Sequence, residues 1–271
     1  MADALAAQPI AEASRPLRGR HAVVTGAGRG IGAAIAAELA RLGADLTLIG
    51  RDKAALATQQ GRLKRGFDTR TDVLPLDITD AAATRSAMAT LALGSPAILV
   101  NNAGAAESVP FAKMTAEHWQ RMLDVNLTGT FNTCQAAVPL MLQAGFGRIV
   151  NIASTAGLTG YPYVAAYCAA KHGVIGLTRA LARELAPKNI TVNAVCPGYT
   201  ETEMTERTIA NIVAKTGRSE AEAKAELARF NPQGRLVQPE QVADAVAWLV
   251  RPEAAAVTGQ AIAIAGGEGM P

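Results

Sequence analysis

Aromatic residues are scarce in this chain, at 4% of its 271 residues, although 49% of the residues are hydrophobic. The core is therefore expected to consist of Ala, Val, Leu and Ile, which is typical of parallel strands packed against helices with small side chains. The sequence contains only three cysteines, Cys134, Cys168 and Cys196, and no C-x-x-C spacing. This pattern predicts reduced thiols in a cytoplasmic protein and no metal site.

Long apolar runs are absent as well. No stretch approaches the roughly 20 consecutive apolar residues that a membrane-spanning helix requires. The net charge of +3 is small for a chain of this length and the basic residues are scattered, so no nucleic-acid partner is expected. Residues 1–18 are rich in alanine, contain Pro9 and Pro16, and lack a continuous apolar segment. They predict a flexible N-terminal tail rather than a secretory signal.

From residue 19 onward, short apolar runs alternate with amphipathic stretches. The predicted strands are 21–24, 45–49, 73–76, 97–100, 148–152, 191–195 and 261–264. The predicted helices are 30–42, 52–65, 80–92, 115–143, 162–186 and 239–249. Pro75 suits an edge strand better than a central one, because proline cannot donate a hydrogen bond to a neighbouring strand. The pattern predicts one α/β domain over residues 19–271, a Rossmann-type doubly wound parallel sheet of seven strands.

The charged segment 203–230 does not follow this alternation. Its composition predicts a helical pair inserted after the sixth strand. Ligands of doubly wound sheets bind at the carboxyl ends of the strands, so this pair is predicted to form a small lid over the substrate pocket.

A glycine-rich turn separates the first strand from the first helix. The segment Thr25-Gly-Ala-Gly-Arg-Gly-Ile-Gly32 departs from G-x-G-x-x-G, since Ile31 replaces the last glycine, but it fits Thr-Gly-x3-Gly-x-Gly. Its glycines let the backbone turn sharply and approach a pyrophosphate, whose charge is met by the amides at the helix N-terminus. Between a strand and a helix, this turn predicts a dinucleotide site.

The end of the second strand bears on which dinucleotide is bound. NAD enzymes usually place an acidic residue there to bind the ribose hydroxyls, whereas this chain has Gly50 followed by Arg51. Arg29 lies in the glycine turn, near enough to converge with Arg51 on a 2′-phosphate. NADP(H) is therefore the preferred cofactor. Asp52 lies at a suitable distance along the chain to bind a ribose, so NAD(H) stays open as the alternative.

Polar residues also end the third and fourth strands. Asp77 is predicted to accept a hydrogen bond from an adenine amino group or to cap the helix that follows. Asn101-Asn-Ala-Gly104 combines small and amide side chains, which would let the backbone pass close to the adenosine ribose.

The pair Tyr167 and Lys171 carries the clearest chemical signal. Residues four apart lie on the same face of a helix, so the sequence places a phenol beside an ammonium group. A nearby positive charge favours the phenolate and brings a tyrosine towards acid/base catalysis near neutral pH. Ser154 precedes the tyrosine by thirteen residues, at the end of the fifth strand.

Taken in order along residues 18–268, these motifs resemble the short-chain dehydrogenase/reductase family. Within that family the chain is most similar to 3-oxoacyl-thioester reductases and polyketide ketoreductases. The matching segments are Thr25-Gly-x3-Gly-x-Gly32, Asp77, Asn101-Asn-Ala-Gly104, Asn126 within Asp124-Val-Asn-Leu-Thr-Gly129, Ser154, Tyr167-x3-Lys171 and Pro197-Gly198.

The resemblance implies a role for each catalytic residue. Tyr167 is expected to be the general acid in carbonyl reduction and the base in alcohol oxidation. Its pKa is expected to be lowered by Lys171 and, with oxidised cofactor, by the positive nicotinamide ring. Ser154 is expected to orient the substrate oxygen, although as a residue of a Ser/Thr/Gly-rich loop it also suits an N-cap. Asn126 is expected to hold a water that relays protons to Lys171, although a helical asparagine often binds the local backbone instead.

The cofactor site implied by the resemblance spans several strand ends. Lys171 would also hold the nicotinamide ribose, and Pro197 to Thr202 would lie against the carboxamide. No metal is expected, because the cofactor supplies the hydride. The predicted cofactor-binding residues are Gly26, Arg29, Gly30, Ile31, Gly32, Arg51, Asp77, Ile78, Asn102, Ala103, Gly104, Tyr167, Lys171, Pro197, Gly198, Thr200 and Thr202.

The substrate implied by the resemblance is a 3-oxoacyl thioester, carried on CoA or acyl carrier protein. Two alternatives stay open: a small secondary alcohol, sugar or aromatic ketone as substrate, and a dinucleotide-sensing protein without turnover. Arg207, Lys215, Arg218 and Lys224 in the lid segment would suit carrier phosphates, but the glutamates interleaved with them favour a solvated face. The resemblance also implies a homotetramer built on the helices near 115–143 and 162–186 and on the last strand.

Overall fold

A computed structural model describes residues 15–269, and within this range seven strands form one sheet. All neighbouring strands are parallel, in the order β3-β2-β1-β4-β5-β6-β7. The predicted doubly wound parallel sheet is confirmed. The strands are β1 His21–Thr25, β2 Asp45–Gly50, β3 Thr71–Pro75, β4 Ile98–Asn101, β5 Gly147–Ile152, β6 Ile190–Pro197 and β7 Ala261–Ile264.

Helices cover both faces of the sheet and connect its strands. Each predicted helical segment is found, and the segment 203–230 forms the expected pair, α7 and α8. The helices are α1 Gly30–Arg41, α2 Lys53–Gly66, α3 Ala81–Ala89, α4 Ala116–Leu123, α5 Gly129–Ala144, α6 Ala165–Leu185, α7 Glu203–Thr216, α8 Glu220–Ala228 and α9 Pro239–Leu249.

The strands form where the sequence has short runs of aliphatic residues, and most of these side chains are buried. All of β1, β4, β5 and β6 is buried, as expected for strands with helices on both faces. Strand β3 is an edge strand, and Pro75 ends it, which agrees with the position predicted for that proline.

The helix predicted over 115–143 is interrupted. A π-helical segment, Asp124–Thr128, separates α4 from α5 and contains Asn126, which is fully buried. Single π turns inside helices are rare and occur frequently at functional sites. Hydrophobic periodicity did not reveal it, because the helix continues on both sides.

The folded part begins before the boundary predicted at residue 18. Leu17 is buried, and its backbone N–H donates to the carbonyl oxygen of Leu42 at 3.0 Å. The remainder of the predicted tail, residues 1–14, lies outside the described residues. Among the helices of residues 15–269, none is long and apolar enough to cross a membrane.

The direction in which strands are added reverses between β1 and β4. Strands β2 and β3 extend the sheet on one side of β1, and β4 to β7 extend it on the other. In such sheets a crevice opens beyond the carboxyl ends of the two strands at the reversal. The glycine turn follows β1 and Asn102–Gly104 follows β4, so both segments border this crevice.

Candidate active site

The glycine turn joins β1 to α1 in a conformation that only glycine accommodates well. Gly26 and Gly30 have positive φ angles of 65° and 53°. A Cβ atom on Gly32 would lie 2.2 Å from the carbonyl oxygen of Gly26, so this residue must be glycine for the turn to close. Next to it, the half-buried side chain of Ile31 packs on the core.

The N-terminus of α1 suits an anion. Its N-cap residue, Arg29, makes no side-chain capping bond, and the first turn contains no acidic residue. The backbone amides of this turn therefore keep their hydrogen-bonding capacity and the positive end of the helix dipole is not offset. This is the donor set that a dinucleotide pyrophosphate requires, so the predicted residues fit the cofactor.

The segment after β4 braces the glycine turn. The side-chain amide of Asn102 donates to the carbonyl oxygens of Thr25 at 3.0 Å and Gly26 at 3.2 Å. The hydroxyl of Thr25 accepts from the backbone N–H groups of Asn102 and Ala103, both at 3.0 Å. Asn102 thus fixes the two edges of the crevice against each other, a function that the sequence analysis did not assign to it.

Arg29 is held between two carboxylates. Its guanidinium donates to Asp52 and, at 2.8 Å, to Glu203 in the first turn of α7. Asp52 is also the N-cap of α2, where it accepts from the N–H of Ala55 at 3.0 Å. The carboxylate of Asp52, which kept NAD(H) open as the alternative, is therefore partly engaged. The convergence of Arg29 with Arg51 on a 2′-phosphate stays a prediction. The contact with Glu203 was not predicted.

Asp77 faces the same region but does not cap a helix. Its Oδ1 accepts from the N–H of Thr79 at 3.0 Å and from the hydroxyl of Thr79 at 2.8 Å, and its Oδ2 lies 3.9 Å from Arg51. The capping alternative is wrong, because Asp80 caps α3. Ile78 is buried, and its side chain fills the space beside Gly129.

The end of β6 leads into α7, the first helix of the predicted lid. Gly198 donates its N–H to Ile264 at 3.1 Å, and the hydroxyl of Thr200 donates to the carbonyl of Gly198 at 3.0 Å. Thr202 is the N-cap of α7, and its methyl carbon lies 3.3 Å from where a Cβ on Gly30 would be. The start of α7 therefore lies against the glycine turn.

Ser154, Tyr167 and Lys171 meet at the carboxyl end of β5. Tyr167 and Lys171 are one turn apart near the start of α6, and the ammonium nitrogen lies 5.6 Å from the phenol ring centroid. Ser154 is the N-cap of a short 3-10 helix, where it accepts from the N–H of Ala156 at 3.1 Å. Its hydroxyl is also near enough to the Tyr167 phenol to lower the pKa of that phenol, against the larger raising by desolvation. The N-cap interpretation of Ser154 is confirmed, and its role in orienting the substrate oxygen stays a prediction.

Lys171 and Asn126 are fixed by backbone groups. Lys171 Nζ donates to the carbonyl oxygen of Ile152 at 2.7 Å. The Asn126 amide donates to the carbonyls of Ala105 at 2.8 Å and Met122 at 3.0 Å, and its oxygen accepts from the N–H of Ala105 at 3.2 Å. The Asn126 side chain is thus bound to the backbone, and its part in a proton relay stays a prediction. Gly104 is close to both, since a Cβ there would lie 2.7 Å from Asn126 Oδ1 and 3.7 Å from Lys171 Nζ.

Burial dominates the protonation of this group. It raises the pKa of Tyr167 to about 12, against a smaller lowering by the Ser154 hydrogen bond. It lowers the pKa of Lys171 to about 8. In the chain alone the pKa of Tyr167 is therefore raised by desolvation, and the lowering expected from Lys171 is not found. Tyr167 is therefore a protonated donor at neutral pH. The lowering expected from the oxidised cofactor stays a prediction.

The sequence analysis missed a hydrogen-bonded chain beside Ser154. The phenol of Tyr161 accepts from the hydroxyl of Thr155 at 2.9 Å and donates to the carboxylate of Glu268, which is buried. A lone glutamate between glycines in Gly266-Gly-Glu-Gly269 was the available signal, but no spacing rule connects it to a site.

Comparison with known proteins identifies the chain. Residues 20–212 match the family described as short chain dehydrogenase. The chain belongs to the short-chain dehydrogenase/reductase family. The family predicted from the motifs is confirmed, and the protein is an NAD(P)-dependent oxidoreductase that acts on hydroxyl or keto groups.

Individual relatives in this family cover nearly the whole chain. The 3-oxoacyl-[acyl-carrier-protein] reductase FabG of Vibrio cholerae is 36% identical over 93% of this chain and 98% of its own length. The D-beta-hydroxybutyrate dehydrogenase of Rhizobium meliloti is 37% identical over 92% of this chain and 98% of its own length. A solved variant of actinorhodin polyketide ketoreductase with NADPH superposes with a TM-score of 0.89 at 39% identity, covering 93% of this chain and 98% of that chain.

The buried ammonium of Lys171 predicts a pH-dependent difference in stability. The pKa of Lys171 is about 8 in the folded chain, against an ordinary value of 10.5. Between these pH values the unfolded state therefore binds more protons than the folded state. The free energy of unfolding of the wild type consequently rises with pH over this range. The variant Lys171→Met has no ammonium group at this position, so this contribution to its stability is absent. The free energy of unfolding of the wild type, relative to Lys171→Met, should rise by roughly 1–3 kcal/mol between about pH 7 and about pH 10.

Urea unfolding of both proteins across this pH range measures the difference. Lys188→Met, at an exposed position, is the matched control and should follow the wild-type curve. If the stability curves of Lys171→Met and wild type run parallel, the lysine is not desolvated in the folded protein.

Proposed function

We propose that this short-chain dehydrogenase/reductase interconverts a 3-oxoacyl thioester, on CoA or acyl carrier protein, and its 3-hydroxyacyl form. The observation that carries the proposal is the group of Ser154, Tyr167 and Lys171 at the carboxyl end of β5, in which Lys171 is buried and Ser154 and Tyr167 are half-buried. The nicotinamide dinucleotide, when bound, supplies hydride to the carbonyl carbon in reduction. A chain that lacked one of these residues would be better explained as a dinucleotide-sensing protein without turnover. This chain retains all three residues.

The protein's own groups manage the proton and the orientation of the substrate. Tyr167, protonated at neutral pH, donates its proton to the carbonyl oxygen in reduction and accepts it in oxidation. Ser154 hydrogen-bonds the same oxygen and directs the carbonyl carbon to one position. Lys171, charged below about pH 8, stabilises negative charge that develops on Tyr167 as the proton leaves, and it also holds the nicotinamide ribose.

Relatives of two kinds bear on the substrate. The Vibrio protein is named a 3-oxoacyl-[acyl-carrier-protein] reductase and the structural neighbour a polyketide ketoreductase, which supports the thioester. The Rhizobium protein is named a D-beta-hydroxybutyrate dehydrogenase, so a small secondary alcohol is the second candidate. Three basic lid residues, Arg207, Arg218 and Lys224, pair with glutamates, which favours a solvated lid face over a carrier-phosphate site.

NADP(H) is the proposed preferred cofactor. Arg29 contacts Asp52, the residue that follows Arg51 in the chain. The side chain of Arg51 is largely exposed and lies 3.9 Å from Asp77, so its guanidinium is available to a 2′-phosphate. Arg29 already binds Asp52 and Glu203, so a phosphate would have to compete with these carboxylates. The NADPH in the solved ketoreductase supports the same preference.

A homotetramer is proposed for the assembly. Several apolar side chains are half-exposed on the outer helices, among them Phe131 on α5 and Trp248 on α9. Strand β7 is an edge strand with partly exposed residues, so a second copy would cover apolar area there. A cytoplasmic location stays a prediction.

Tyr167→Phe tests the proton donor. Phenylalanine keeps the ring and its packing but removes the hydroxyl, so kcat for NADPH-dependent reduction of acetoacetyl-CoA should fall by roughly a hundredfold or more. The dissociation constant of NADPH, measured by fluorescence titration, should stay within about threefold of wild type. Substantial turnover by this variant would remove Tyr167 as the acid. Absence of turnover by the wild type with any 3-oxoacyl thioester would overturn the proposed substrate.

Arg51→Asp tests the phosphate site. The substitution places a negative charge where the 2′-phosphate is proposed to bind, so kcat/KM for NADPH should fall at least tenfold while that for NADH changes little. Initial rates with both cofactors at a fixed thioester concentration measure this selectivity. Arg85→Asp, with the same charge change at an exposed position on α3, should leave it unaltered. Equal losses with NADPH and NADH would contradict the assignment.

A further inference from the structure

Glu203 connects α7 to the cofactor crevice, and the proposed mechanism does not use it. It is the first residue of α7, directly after the N-cap Thr202. Its Oε2 accepts a hydrogen bond from Nη1 of Arg29 at 2.8 Å, while Nη2 of the same guanidinium donates to Asp52. A single arginine of the glycine turn therefore binds both the start of α7 and the residue that caps α2.

The partners of Glu203 lie where a doubly wound sheet recognises the adenosine ribose. In such sheets an acidic residue after the second strand binds the 2′-hydroxyl, or a nearby arginine accommodates a 2′-phosphate. Asp52, the N-cap of α2, follows β2 by two residues, and Arg29 is held against it. Because Glu203 binds the same guanidinium, its carboxylate lies next to the group that is proposed to bind the 2′-phosphate.

Negative charge predominates around Arg29. The carboxylates of Asp52 and Glu203 share its guanidinium, and Arg207 lies 3.9 Å from Glu203 on the same helix. At least 45% of each of these four side chains is exposed, and exposed ion pairs are weak, so a bound anion exchanges with them at little cost. A 2′-phosphate that takes Arg29 from Glu203 is then repelled by the carboxylate that it displaces.

A ribose without the phosphate leaves the ion pair of Arg29 and Glu203 in place. Its 2′-hydroxyl donates a hydrogen bond to a carboxylate and requires no guanidinium. The start of α7 is then held on the glycine turn by this pair and by Thr202, whose methyl carbon lies 3.3 Å from where a Cβ on Gly30 would be. The carboxylate of Glu203 therefore opposes one form of the dinucleotide and not the other.

We propose that Glu203 is a specificity-determining residue for the cofactor: its carboxylate competes with the 2′-phosphate for Arg29 and so lowers the preference for NADP(H) over NAD(H). The inference rests on the 2′-phosphate site proposed above and adds an opposing residue to it. Arg29 and Arg51 attract the phosphate, and Glu203, 174 positions from Arg29 along the chain, limits how strongly Arg29 does so.

Two fragments of the dinucleotide, 2′,5′-ADP and 5′-AMP, test this inference directly, because they differ only in the 2′-phosphate. Calorimetry on the full chain, at neutral pH and low salt, measures the Kd of each fragment. Glu203→Gln keeps the length of the side chain and removes its charge. The ratio of the Kd of 5′-AMP to that of 2′,5′-ADP should therefore rise about three- to tenfold over wild type in this variant.

Glu206→Gln is the matched control. It removes the same charge from the first turn of α7 at an exposed position, and among the ion pairs of residues 15–269 none joins Glu206 to Arg29. The ratio should stay within about twofold of wild type in this variant. An equal rise in both variants would overturn the proposal, since it would show a general effect of charge on α7. An unchanged ratio in Glu203→Gln would overturn it as well.

Two further measurements separate competition for Arg29 from a structural effect. The variant Arg29→Met lacks the shared partner, so Glu203→Gln should raise the ratio less in this background than in wild type. Salt screens exposed charges, so the rise should diminish in about 1 M NaCl, where the screening length is about 3 Å. A rise of the same size in both backgrounds, or one that salt does not reduce, would contradict the proposal. Glu203→Ala replaces the glutamine variant if thermal unfolding shows that the latter is impaired in folding.

The experiment also distinguishes this proposal from the proposed function, because the fragments lack the nicotinamide and no thioester is present. If the wild type reduces 3-oxoacyl thioesters more efficiently with NADH, and the ratio still rises in Glu203→Gln, the preference for NADP(H) is refuted and the role of Glu203 is retained. A preference for NADPH with a ratio independent of Glu203 would do the reverse.

Discussion

The arrangement of the active site depends on a buried ammonium group. Lys171 is 4% exposed, and its Nζ is held at 2.7 Å by the carbonyl oxygen that ends β5. This contact fixes the first turns of α6 against the sheet and therefore fixes Tyr167, one turn earlier, against Ser154. The same desolvation that lowers the pKa of Lys171 raises that of Tyr167. A proton donor and a cation are thus kept side by side without neutralising each other.

A buried hydrogen-bond network among β4, β5, α5 and α6 supports this geometry. The amide of Asn101 donates to Asn151 at 2.9 Å, which joins β4 to β5. The hydroxyl of Thr133 on α5 donates to Asn101 at 2.6 Å, and Asn151 donates to Thr178 on α6 at 2.9 Å. Polar groups that satisfy each other in the interior are strong and directional, so they specify one relative placement of two strands and two helices. Reacting groups held on such elements are positioned more reproducibly than groups on loops.

Local chemistry explains what could be predicted from the sequence. The strands, the glycine turn and the Tyr167–Lys171 pair depend on residues within a few positions of each other, and so they were found with little error. The contacts of Arg29 with Glu203 and of Tyr161 with Glu268 join residues 174 and 107 positions apart, which no periodicity reveals. The direction of the pKa shift of Tyr167 was missed for the same reason, because burial is a property of the whole fold.

The ionisation of Tyr167 in the protein without dinucleotide tests the central claim most directly. Carbon-13 NMR of protein with labelled tyrosine rings, with Tyr167→Phe to assign the resonance, follows this ionisation as pH is raised. Burial raises its pKa to about 12, so the Tyr167 signal should remain that of the protonated phenol beyond about pH 10, where a free tyrosine is half ionised. Ionisation near neutral pH would contradict the account and would show that Lys171 outweighs desolvation.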